Sequence, residues 1–341
     1  MSNKLREIET LGQAVWIDNL NRDLLDDGTM RDLIEQDGIS GVTSNPTIFE
    51  RLALCDVRDA ADLFKPTFDS TEGQDGYVSF ELPASLAFDA QGSIDAAMRL
   101  HDLFERDNVL IKLPGTAEGV QAFEELTGRG VNVNITLLFA VERYREIAEA
   151  YIRGLQRRAD AGEPVDRAAS VASFFVSRVD TKVDAALEQL GREDLRGKAA
   201  IANARVAYAA FQEIFSGEAW ERLSAVGANV QRPLWASTST KNPDYPDTLY
   251  VDELIGPDTV NTMPDGTIEA ARDHATPERT ADKDIDGARA LIDELKEIGV
   301  EFDDIVSRQL VDEGVASFSA SYESLLETLE RKAGELSAAA R

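Results

Sequence analysis

The chain has 341 residues, 43% of them hydrophobic, enough for two ordinary domains or for one α/β barrel, a fold that often exceeds about 200 residues. Its formal net charge is -28, with 63 acidic residues against 35 basic ones, which disfavours nucleic acid and anionic membrane surfaces as partners. The single cysteine, Cys55, excludes an internal disulfide framework, and two histidines, His101 and His274, leave little material for a metal site or a histidine triad.

No apolar run reaches membrane-spanning length and no charged-then-apolar leader opens the sequence, so a cytoplasmic location is expected. The acidic excess fits a salt-adapted cytoplasm as readily as ordinary acidity. The first β-type segments are Ala14–Leu20 and Gly41–Asn45. A stretch rich in Pro, Asp, Ser and Gly, Phe64–Gly76, reads as a loop before the third segment, Tyr77–Leu82. The helical pattern Ile94–Arg106 follows, then the strand Val109–Leu113 and the helix Gly119–Leu126. Val131–Leu138 leads into a helix over Leu138–Gln156. Ser170–Val176 precedes helical stretches over Asp180–Leu190, Lys198–Ser216 and Gly217–Gly227. Pro233–Ser239 and Thr259–Met263 complete the strands. Asp284–Ile298 supplies a last barrel helix, and Phe302–Lys332 an extra one covering about 302–335. Strands alternating with helices make a parallel sheet, and eight such units predict an α/β fold: a single (β/α)8 TIM barrel over residues 1–341, with an additional C-terminal helix.

Strand parity indicates what the barrel is for. Alternate side chains of a strand point to opposite faces. In the fifth segment Asn132, Asn134 and Thr136 share one face, opposite Val131, Val133, Ile135 and Leu137. The third sets Ser79 and Glu81 opposite Val78, Phe80 and Leu82, and the first sets Asp18 with Trp16. The apolar faces pack outward on the helices, so the polar faces line the interior. A barrel built only for support would carry Val, Ile and Leu there, and polar groups at the C-terminal strand ends are how barrel enzymes build active sites.

Lys112 stands out among these inward groups. It follows Val109, Leu110 and Ile111 and precedes Leu113, Pro114 and Gly115, at the end of a strand that reads as buried. A poorly solvated lysine gives up its proton more easily, and its neutral amine is a nucleophile fit for imine formation on a carbonyl. The bland alternative is a structural lysine paired with an inward carboxylate; the polar faces of the neighbouring strands favour the catalytic reading. Lys182 falls on the helix after the sixth strand, and Lys241 in a loop after the seventh, a better place to hold an anion than to be desolvated. Asp18 and Glu81 are either solvated loop carboxylates or proton carriers beside Lys112. Asn45, Asn134 and Thr136 either cap turns or bind substrate hydroxyls. Arg178, at the end of Ser173–Arg178, either pairs with Asp180 or the next helix, or binds phosphate at the barrel mouth with the hydroxyls of Trp235–Lys241. No P-loop, dinucleotide fingerprint or zinc spacing occurs, so no cofactor is expected.

Taken together, the segments Gly41–Phe49, Val109–Thr116, Asn132–Phe139, Ser173–Arg178 and Trp235–Pro243, with Asp18 and Glu81, resemble the transaldolases of the pentose phosphate pathway, in their longer-chain bacterial branch. The resemblance implies a class I Schiff-base mechanism with Lys112 as the imine-forming lysine. It implies that Asp18 takes the C4 hydroxyl proton, that Glu81 and Thr136 manage a proton-shuttling water, and that Asn45 and Asn134 hold the dihydroxyacetone fragment. Ser173 would contact substrate hydroxyls and Arg178 the phosphate. The second phosphate arginine of shorter relatives is not visible after the seventh strand, and Ser237 and Lys241 stand in its place. Sugar phosphates would be the only partners of a monomer or homodimer. Three alternatives remain at this point: an aldolase of the same superfamily that releases dihydroxyacetone, a glycosidase using Asp18 and Glu81 as its carboxylate pair, and an inert barrel serving as a binding scaffold.

Overall fold

The computed structural model describes residues 3–44 and 54–339. Eight parallel strands close into a barrel in sequence order: β1 (Gln13–Ile17), β2 (Gly41–Thr43), β3 (Tyr77–Glu81), β4 (Val109–Pro114), β5 (Val133–Leu138), β6 (Ser170–Phe175), β7 (Arg232–Ala236) and β8 (Thr259–Met263). β8 returns to β1 through the register Gln13↔Thr259 to Ile17↔Met263. Such a sheet has no free edge.

The expected strands all occur, several of them shorter. Asp18 lies one residue past β1, its N–H bonded to the carbonyl of Met263 at 2.9 Å, so it belongs to the barrel rim. Arg178 does not end a strand: β6 stops at Phe175, and Arg178 is in the first turn of the helix Ser177–Leu190. Ser237 leaves β7 with φ 57°, in the left-handed region. In β5 the register shifts between Ile135 and Leu138, and Leu137 has φ 59°, so simple alternation ends after Thr136.

The segment Phe64–Gly76 is not a loop over most of its length. Helix Leu54–Ser70 runs through it, leaving only residues 71–76 as the connection. Val57, Ala60, Ala61, Phe64 and Phe68 are buried at helical spacing, and this apolar stripe outweighs the breaker Pro66, whose ring is exposed. The other helices fall where expected to within a few residues, ending with Ile285–Glu297 and the C-terminal Leu310–Ala339. Local chemistry sets their ends. Thr116 caps Ala117–Arg129 by accepting the N–H of Gly119 at 3.0 Å, and Gly130, at φ 83°, closes that helix. Among the described residues no helix is long and apolar enough to cross a membrane.

The barrel interior has two zones, where parity alone implied a uniformly polar one. Near the N-terminal ends of the strands Tyr77, Leu110, Val171 and Arg232 line one cavity, with Trp16 stacked beneath Arg232 at 5.9 Å. Gly41 is required there, because a Cβ would lie 2.4 Å from the Trp16 ring. The polar groups gather in the other zone, toward the C-terminal strand ends.

Candidate active site

The register of the middle strands puts the site together. Glu81 pairs with Lys112 across β3 and β4, and Lys112 with Asn134 across β4 and β5. The three side chains therefore point into the barrel at one level. Lys112 is 5% exposed, and its ammonium donates to Glu81 Oε2 at 3.0 Å and to the carbonyl of Ser44 at 3.0 Å. The structure thus pairs Lys112 with a carboxylate, yet also opens it to a cavity of about 250 Å3. Around that cavity stand Asp18, Thr136, Ser173, Arg178, Ser237 and Lys241, most of the set expected from the sequence.

Burial pushes the Glu81 carboxyl up to about 7, with nearby Asp18 acting in the same direction and Lys112 opposing both. A carboxylate that binds a proton this readily lowers the cost of moving one from ammonium to carboxylate, which leaves the neutral pair and a nucleophilic amine. Thr136 Oγ1 is buried with no hydrogen-bond partner among the described residues, on the wall of the same cavity.

Asn134 takes part in a fixed chain: it donates to Ser79 Oγ at 3.0 Å and accepts from Ser173 Oγ at 2.6 Å. Ser173 therefore both lines the cavity and orients Asn134. Asn132, on the same face of the chain, belongs to the other end: it donates to the carbonyl of Asp107 at 2.9 Å and accepts the N–H of Ala169 at 2.9 Å, a structural role. Asn45 lies outside the described residues.

Arg178 has no carboxylate within ion-pair distance among the described residues. Asp180, the partner considered from sequence, faces away and accepts from Tyr250 instead. Arg178 rests on the Phe175 ring at 5.2 Å, and burial lowers its pKa. Lys241 is also lowered, first by burial and then by Arg178 nearby. Two cations held side by side at a barrel mouth, with Ser237 between strand and helix at 2.9 Å from Ser177 Oγ, can receive a dianion. Lys182 points instead to Glu313. His101 sits on the outer helix Ala90–Phe104, and His274 is exposed between Asp247 and Asp273.

Sequence reasoning passed over several contributors. Thr43 donates to Asp18 Oδ1 at 2.7 Å and lies 2.8 Å from Thr262 Oγ1, fixing the carboxylate at the rim. Alternation in β2 places Thr43 on the inward face, but in β8 Thr262 shares its face with Val260 while Thr259 and Asn261 lie on the other, so polarity alone would have missed it. Phe318, on the C-terminal helix, places its ring 5.8 Å from the Lys112 ammonium, and no local signal in the sequence announces that. Among the described residues no group of three or more His, Cys, Asp or Glu converges as a metal site.

The Transaldolase/Fructose-6-phosphate aldolase family model matches residues 15–329. The chain belongs to this family. Among curated relatives, a transaldolase of Thiobacillus denitrificans is 46% identical, with 95% of this chain and 99% of that protein aligned. One of Trichodesmium erythraeum is 41% identical over 98% of this chain and 99% of its own length. Transaldolase 1 of Streptomyces avermitilis is 43% identical, with 96% of each chain covered. Within the family the chain sides with these bacterial transaldolases and is an enzyme of the transferase type.

Proposed function

We propose that this enzyme transfers a dihydroxyacetone unit from a ketose phosphate to an aldose phosphate, through an imine on Lys112. Sedoheptulose 7-phosphate or fructose 6-phosphate is the donor, and glyceraldehyde 3-phosphate or erythrose 4-phosphate the acceptor, as in the non-oxidative pentose phosphate pathway. The observation that carries this reading is Lys112, paired with the buried Glu81, on the wall of a cavity that Arg178 and Lys241 also line.

The amine of Lys112 adds to the C2 carbonyl, and the carbinolamine loses water to give the protonated imine. Glu81 receives and returns protons in that exchange, through a water held between it and Thr136. Asp18, oriented by Thr43, removes the C4 hydroxyl proton. The C3–C4 bond then breaks, its electron pair moves into the imine, and the aldose phosphate departs as an aldehyde. An enamine is left on Lys112. Its C3 attacks the acceptor aldehyde, Asp18 returns the proton to the new hydroxyl, and water hydrolyses the imine. Asn134, and Asn45 with it, hold the dihydroxyacetone hydroxyls, Ser173 contacts them from β6, and Arg178, Ser237 and Lys241 take the phosphate.

Mixing the enzyme with fructose 6-phosphate and erythrose 4-phosphate tests this. Sedoheptulose 7-phosphate and glyceraldehyde 3-phosphate should form in equal amounts. Free dihydroxyacetone accumulating at the same rate with and without acceptor would contradict the transfer and assign an aldolase instead. A glycosidase reading has no use for Lys112 or Arg178.

A further inference from the structure

Helix Ser177–Leu190 serves two structures at once. Arg178 and Lys182 are one turn apart on the side of the barrel mouth, while Asp180 and Asp184, also one turn apart, lie about 200° around the helix. These two carboxylates are buried, and among the described residues neither makes an ion pair. Asp180 accepts the N–H of Ala200 and the hydroxyl of Tyr250, both at 2.8 Å. Asp184 accepts the N–H of Gly197 at 3.0 Å and the hydroxyl of Tyr245 at 2.6 Å. Tyr245 also packs against Gly197, where a Cβ would come within 2.9 Å of its ring.

Both tyrosines belong to the connection after β7, the one that carries Ser237 and Lys241. We propose that Tyr245–Asp184 and Tyr250–Asp180 form a clasp that holds this connection against the arginine-bearing helix, making Tyr245 and Tyr250 positioning residues for the substrate phosphate. Lys241 and Arg178 repel one another, and both lose solvation in the cavity, so the empty site favours their separation. The two hydroxyl–carboxylate bonds act on the far side of the helix, where no substrate reaches, and oppose that separation before phosphate arrives. Preorganisation of this kind lowers the cost of binding. Burying a carboxylate without a cation is unfavourable, and Asp180 is pushed up to about 7 by its burial, so that limb is not an economical way to stabilise a fold. The Asp184 limb, by contrast, has the Arg196 guanidinium beside it.

The clasp rests on the phosphate reading given above, and two measurements keep them apart. The first is the Kd of inorganic phosphate by calorimetric titration, with Tyr245→Phe, Asp184→Asn, their double variant and Arg178→Gln. The second is the KM and kcat of Tyr245→Phe and Asp184→Asn with fructose 6-phosphate and with unphosphorylated fructose. Loss of one charge-assisted hydrogen bond predicts that Tyr245→Phe and Asp184→Asn each weaken inorganic phosphate about tenfold, and the double variant no further. KM for fructose 6-phosphate should rise to match, while kcat and the constants for fructose stay within about twofold. A purely structural pair would lower the melting temperature and leave this split absent. Tyr250→Phe tests the other limb, should the Asp184 variant fold poorly. If Arg178→Gln weakens phosphate but Tyr245→Phe does not, the clasp is overturned. If Arg178→Gln leaves phosphate binding intact, the phosphate reading itself is overturned.

Discussion

Lys112 and Glu81 form an ion pair that stability alone does not explain. Two charges buried at 5% and 2% exposure give up solvation that the 3.0 Å bond between them and the 3.0 Å bond from Lys112 to the Ser44 carbonyl barely restore. Glu81 expresses that cost, since it binds a proton at about 7 in place of the usual 4.5. With a raised pKa, its contribution to stability is complete below the ordinary carboxylate value and is lost as pH rises through about 7. Function has the opposite sign. Below about 7 Glu81 already holds its proton and cannot take one from Lys112, so imine formation should slow as the solution is acidified. Glu81→Gln should slow that step by roughly 10²–10⁴-fold and erase this limb of the profile. Stopped-flow trapping of the adduct from pH 5 to 9 checks both; an unchanged limb in the variant would assign it to another group. Glu81 and Lys112 were legible as residues because parity and strand end both pointed to them. Their hydrogen bond was not, since it depends on the register between β3 and β4.

At the scale of elements, the C-terminal helix Leu310–Ala339 closes the site from above. Gly314 lets it approach the left-handed turn at Leu137, since a Cβ would come within 2.8 Å of that side chain. Glu313 pairs with Lys182, and Ser317 and Phe318 complete the cavity wall. In the proposed mechanism the enamine on Lys112 must meet an acceptor before it meets a proton from water, and the Phe318 ring, 5.8 Å from the ammonium, is placed to shield it. Phe318→Ala should therefore raise the release of free dihydroxyacetone from fructose 6-phosphate relative to transfer, as read by product partition at fixed acceptor; an unchanged partition would place the shield elsewhere. The amphipathic pattern foretold this helix, but docking across the barrel mouth is a tertiary choice that periodicity does not encode. The misread Phe64–Gly76 stretch is the converse. Counting Pro, Asp, Ser and Gly missed the stripe of Val57, Ala60, Ala61, Phe64 and Phe68, because a short apolar face buried on the barrel outweighs an exposed proline.

For the whole molecule, the alternation of strand and helix was sufficient to predict a closed parallel barrel, since eight right-handed units of this kind have few other ways to bury both faces of a sheet. The level at which polar groups gather was less clear. Trp16 and Leu110 share faces with Asp18 and Lys112, and parity does not say that the interior divides into an aromatic lower zone and a polar upper one. The clasp on the arginine-bearing helix was invisible for the same reason: Tyr245 and Asp184 are distant in sequence and meet only in the folded chain. Charge acts at this scale too. A molecule at -28 would repel the phosphorylated sugars of the proposed reaction, and the Arg178–Lys241 pair would supply a local reversal of sign at the cavity that also holds Lys112. All of these features converge on the amine of Lys112. The most direct measurement is to incubate the enzyme with fructose 6-phosphate, reduce with borohydride, and map the adduct by peptide mass. A reduced three-carbon or six-carbon adduct on Lys112 alone, absent from Lys112→Met together with transfer activity, is the predicted result. An adduct on Lys182 or Lys241, or transfer that survives in Lys112→Met, would contradict it.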